Sequence, residues 1–132
     1  MDEKGLPGDP LLKTILATAN KENITLGITL NVEGMIISGI LISSKEYYEG
    51  LAQQLKEPSD RKETNNLTKT LVNIINQYIA QEGQALTQDY IHLKDARFHY
   101  ASQDIAPIDQ GVWWRGKLSS VDGFTLGTSL LL

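Results

Sequence analysis

The sequence predicts an α+β domain: a small, strongly curled antiparallel sheet of five strands, preceded by one helix and interrupted by a helical hairpin. Three observations lead there. Apolar and polar residues alternate from Ile24 to Val32, the period-two signature of a half-buried strand. Elsewhere apolar residues recur at three- and four-residue steps in three separate stretches, as amphipathic helices require. Gly34 supplies a turn between two strand-like runs, and Gly83 closes the last helical one.

Asp9-Pro10 reads as an N-cap followed by proline at the first helical position, and Leu11, Leu12, Ile15, Leu16 and Ala19 continue the helical stripe. The strand from Ile24 to Val32 ends at Glu33-Gly34, a tight-turn pair, and Met35 to Ile42 forms the returning strand of a hairpin. Gly39 interrupts that second strand, where a bend or close backbone approach would let the sheet curl. Ser43 with Glu46 resembles a capping box, opening a helix through Tyr47, Tyr48, Leu51, Ala52 and Leu55 that stops before Pro58. Of the adjacent Tyr47 and Tyr48, one is expected in the core and the other at its rim. Asp60 with Glu63 repeats the capping signal before Leu67, Leu71, Ile74, Ile75, Tyr78 and Ile79, and Gly83 closes that run.

The span 44–83 is thus a helical insertion within a single domain, 1–132, whose first eight residues are expected to be flexible. Tyr90 to Tyr100 and Val112 to Leu118 are further strands, separated by a loop containing Pro107. Val121-Asp122-Gly123 reads as a turn leading into a last strand, Phe124 to Leu126. Leu130 to Leu132 either extends that strand or docks on a neighbouring subunit.

Composition narrows the function classes. The chain has 132 residues, 41% hydrophobic and 21% charged, so a packed core is expected rather than disorder. It contains no cysteine, which excludes disulfides, thiolate metal sites and a cysteine nucleophile and points to the cytoplasm. No apolar stretch approaches the roughly 20 residues of a membrane span. A net charge of -4 makes nucleic acid an unfavoured partner. His92 and His99 are separated by an odd number of positions, which puts them on opposite faces of a regular strand and argues against a metal pair. No cofactor-binding glycine loop or nucleophile elbow is present.

The sharpest surface candidates lie in the Val112–Leu118 strand, where alternation places Trp113, Arg115 and Lys117 on one face. Tryptophan beside arginine is the composition of an interface anchor. Packing of Trp113 beneath the helical hairpin is the equally weighted alternative. Tyr48 and Phe124 complete the set of candidate partner-binding residues.

The element order resembles a small Sm-like barrel carrying a helical insertion. Gly34 and Gly39 five apart and Arg115-Gly116 in a late strand make an oligomeric Sm-like RNA-binding ring the second reading, against which Ser44 and Tyr48 stand near the positions where Sm-like RNA binders place an acidic residue and an asparagine. The strings Ile28-Thr29-Leu30-Asn31-Val32-Glu33-Gly34, Tyr90-Ile91-His92-Leu93-Lys94-Asp95 and Trp114-Arg115-Gly116-Lys117 followed by Val121-Asp122-Gly123-Phe124 resemble the gas vesicle accessory proteins of the GvpU family. That resemblance implies a non-enzymatic, cytoplasmic, vesicle-associated protein that contacts shell proteins and modulates vesicle clustering. A homo-oligomer is expected from the open edges of a small sheet. A hydrolase built from serine, histidine and aspartate on different strands is the third and weakest reading.

Overall fold

The computed structural model describes residues 8–56, 65–82, 89–99 and 111–127. Helix α1 (Pro10–Glu22) starts as its sequence dictates: the Asp9 carboxylate accepts from the Leu11 N–H at 2.8 Å, with proline in the first turn. It ends on Asn23, whose φ of 55° is the left-handed conformation that asparagine tolerates. Ile24 donates its N–H to Ala19 O at 3.1 Å. The helix terminus thereby engages a residue expected in the strand, and β1 begins later, at Leu26 (Leu26–Val32).

Strand β2 (Met35–Leu41) returns antiparallel, Val32 opposite Met35. Glu33 and Gly34 both have positive φ, 52° and 90°, as the two-residue turn matching strand twist requires. Helix α2 (Ser44–Lys56) is capped by Ser43 Oγ, which accepts from the Glu46 N–H at 3.1 Å, the first half of the expected capping box. Helix α3 (Asn65–Glu82) packs on α2, and then come β3 (Tyr90–His99), β4 (Val112–Lys117) and β5 (Val121–Leu126). Val121, Asp122 and Gly123 belong to β5 rather than to a turn. β4 and β5 run in the same direction at opposite ends of the sheet, a 3₁₀ turn at Leu118–Ser120 connects them, and Asp122 is held in place by accepting from the Glu33 N–H at 2.9 Å. The expected caps at Asp60, Glu63 and Gly83, Pro107 with most of its loop, residues 1–7, Tyr100 and Leu130–Leu132 lie outside the described residues.

The sheet order is β4-β3-β2-β1-β5, every neighbour antiparallel. It is open: β4 and β5 form its two ends and do not pair with each other, so the expected barrel is not formed. Alternation and register explain why. A barrel has one interior, whereas both faces of this sheet carry a core. Ile28, Leu30, Ile37, Leu41, Ile91 and Leu93 bury one face with Leu12, Leu16 and Ala19 of α1. On the opposite face Tyr47, Tyr48 and Ala52 of α2 join Ile75 of α3, with Ile40 and Trp113 packed against them.

Gly39 does mark an irregularity, though of a different kind. The β2–β3 register shifts between Ser38 and Ile40, and Asp95 opposite has φ 55°. A Cβ on Gly39 would lie 3.2 Å from the Ala96 Cα and the Lys94 carbonyl oxygen, so only glycine passes without displacing the bulged backbone. The bulge adds one residue to β3. His92 pairs with Arg115, Lys94 with Ile40, and His99 with Ile36, so His92 and His99 lie on the same, helical-hairpin side. The odd spacing that separates them in a regular strand is cancelled by Asp95.

Candidate functional site

The hairpin side of β3 and β4 carries Tyr90, His92, Trp113, Arg115 and Lys117. Helix α2 lies over it, anchored by a 2.8 Å ion pair from Lys94 Nζ to Glu46 Oε2. Gly50 permits the close approach, since a Cβ there would overlap the Trp113 ring. Trp113 therefore packs beneath the hairpin and is half-buried, while Trp114 packs into the α1 core and covers Gly116.

Both tyrosines of α2 are buried, Tyr47 at 9% exposure and Tyr48 at 4%, in place of one core and one rim. Adjacent helical positions point about 100° apart, and α2 has two neighbours to bury them against. Tyr47 stands 6.3 Å from the Trp113 ring, and Tyr48 stands 5.7 Å from Tyr78 of α3. His92 lies between them, with ring centroids 4.8 Å from Tyr47 and 5.6 Å from Tyr48.

Arg115 Nε donates to His92 Nε2 at 3.1 Å. A guanidinium only donates, so Nε2 is the unprotonated nitrogen and the imidazole is neutral. Burial, reinforced by the Arg115 charge, lowers the His92 pKa to about 3. Burial also raises the Tyr47 phenol, with Arg115 opposing. The guanidinium carbon lies 3.9 Å over the Tyr90 ring and 6.0 Å from that of Tyr48, so the cation is stacked as well as hydrogen-bonded. Tyr78 and Tyr90 remain exposed at 45% and 40%, with Ile74 and Leu67 exposed along α3. The result is a ridge of Tyr78, Tyr48, Arg115 and Tyr90 running from α3 to β3, with Lys117 opposite Tyr90 at its margin.

Of the five sequence candidates, Tyr48, Trp113 and Arg115 converge and Lys117 flanks them. Phe124 does not join: it pairs with Leu30, packs against the α1 core, and lies at the opposite end of the sheet. His92 is the member that sequence reasoning treated as ordinary. Its signal is the cross-strand pairing with Arg115, which requires the β3–β4 register.

Ser38 Oγ lies 2.9 Å from His99 Nε2, two of the three groups a serine hydrolase needs. Among the described residues no carboxylate bonds to His99, and Ser38 is 4% exposed, beyond a substrate's reach. The pair is a cross-strand hydrogen bond. No group of three or more metal-ligating side chains occurs among the described residues, and none of their helices is long and apolar enough to cross a membrane.

A family model described as gas vesicle protein GvpU-like matches residues 9–129, a span that includes every helix and strand above. The chain belongs to the GvpU-like family. No curated protein and no solved structure matches it. The GvpU-like family is one of gas vesicle accessory proteins.

Proposed function

We infer that this GvpU-like protein acts in the cytoplasm on gas vesicles, binding shell proteins and copies of itself and modulating vesicle clustering through protein–protein contact without catalysis. The observation that carries this reading is the Tyr78–Tyr48–Arg115–Tyr90 ridge. Tyrosine and arginine are the residues enriched at interface centres, because they bury large areas while losing little side-chain freedom. Trp113 supports the ridge from below rather than contacting a partner first. Self-association is supported by the outer edges of β4 and β5, which pair with no other strand among the described residues, since exposed edges template strand addition.

Co-flotation tests the reading. Purified protein mixed with isolated gas vesicles is expected to rise with them and to change their clustering, and a Tyr78→Ala, Tyr90→Ala double variant is expected to remain in the subnatant. Absence of wild-type retention at every salt concentration would overturn it. Sedimentation equilibrium tests self-association separately, a monomer throughout the concentration range counting against it.

A further inference from the structure

We propose that Arg115 is the receptor for a carboxylate of the protein partner, held by the two terminal guanidinium nitrogens, which have no acidic partner among the described residues. The proposal rests on the protein-binding reading above and names the chemical group that the ridge takes.

The argument begins with what already occupies the arginine. Nε is engaged by His92 at 3.1 Å, and Tyr90 covers one flat side of the guanidinium at 3.9 Å. Together they fix both the plane of the fork and its rotation within that plane. Neither terminal nitrogen has an acidic partner among the described residues. Glu46 is paired with Lys94, and Asp95 with Arg97.

A half-buried cation without a counter-ion has lost part of its hydration and has gained no anion in return, so an incoming oxyanion meets a smaller desolvation cost. A guanidinium with an engaged Nε presents its Nη edge in the geometry that pairs with carboxylate or phosphate through two parallel hydrogen bonds. Orientation set before binding reduces the entropy lost on docking.

The surroundings favour a carboxylate on a polypeptide. Exposed Tyr78, Tyr90 and Ile74 provide apolar surface around the charge, suited to an acidic side chain flanked by apolar neighbours. Lys117, across the ladder from Tyr90, adds a second cation at the margin that would steer such a segment.

The test follows the Arg115 Nε–H resonance of the full chain by NMR, assigned by its loss in Arg115→Lys. The probe is N-acetyl-leucyl-glutamyl-leucinamide, with its glutamine counterpart and inorganic phosphate as controls. A saturable shift with the glutamate peptide, at least tenfold weaker with the glutamine peptide and in Arg115→Lys, supports the assignment. No shift, an equal response to both peptides, or saturation by phosphate alone overturns it. Co-flotation with vesicles whose carboxylates have been capped as neutral amides runs alongside. Saturable peptide binding without retention of untreated vesicles supports the carboxylate receptor and refutes the vesicle reading. Retention without any Arg115 response refutes the receptor and keeps the vesicle reading.

Discussion

Acidification should destabilise this domain through one imidazole. His92 is 5% exposed, faces Tyr47 and Tyr48 from α2 and Arg115 from β4, and accepts a hydrogen bond it can hold only while neutral. Its pKa is lowered from 6.5 to about 3 in the folded state, so between those values the unfolded chain binds a proton that the native state refuses. Stability therefore rises with pH across that window and is level above it, at about 1.4 kcal/mol per unit once the unfolded imidazole is charged. Going from neutrality to about pH 4.5 costs roughly 2–3 kcal/mol, a sizeable share of the ~5–15 kcal/mol that holds a typical domain together. The comparison is wild type against His92→Gln, which keeps an oxygen acceptor for Arg115 and cannot titrate. Urea denaturation followed by the fluorescence of Trp113 and Trp114 gives the stability of each at a series of pH values. Carboxylates common to both proteins cancel in the difference. A wild-type minus His92→Gln stability difference that stays flat from pH 7 to about 4.5 would refute the burial of a neutral imidazole here.

Further outcomes follow from the same geometry. Gly50→Ala drives a methyl into the Trp113 ring and should lower stability by about 1–3 kcal/mol, read as a reduced urea midpoint with an altered tryptophan emission. Asp122→Ala strands the Glu33 N–H at an exposed turn and should cost about 1 kcal/mol by the same assay, with the fold retained. Lys94 and Glu46 are 38% and 30% exposed, so a double-mutant cycle with Lys94→Met and Glu46→Gln should return a coupling under about 1 kcal/mol that fades with added salt. Gly39→Val should be more damaging than either charge change, by about 2 kcal/mol or more, because the neighbouring atoms are bulged backbone that yields poorly.

The helices and strands were legible because each is written in local terms. Asp9-Pro10 caps α1, Glu33-Gly34 closes the first hairpin, and Ser43 caps α2, all through atoms within a few residues of one another. The shared face of Trp113, Arg115 and Lys117 was legible in strand alternation, and the family likeness was legible in strings that include this segment. What local periodicity does not carry is the relation between distant elements. Whether β4 and β5 meet depends on how much of each face the helices cover, and no alternation pattern encodes that. One of Tyr47 and Tyr48 was expected at the rim because a helix against a sheet buries one stripe, whereas α2 also has α3 beside it. His92 was weighed only as a metal ligand because its role depends on Arg115, more than twenty residues later and visible only once the ladder is registered.

Asp95 shows how much can depend on one exposed residue. Its carboxylate bonds to Arg97 and lies against Gly111. Yet it acts as a spacer that keeps the two halves of its strand in step: excise it and the parity of everything on one side reverses. Ile91 and Leu93 would then be turned towards the helical pair while His92 and Lys94 were driven into the α1 core. In this position a substitution is an inconvenience and a deletion is a catastrophe, so tolerance to amino-acid exchange here would say nothing about tolerance to a lost codon.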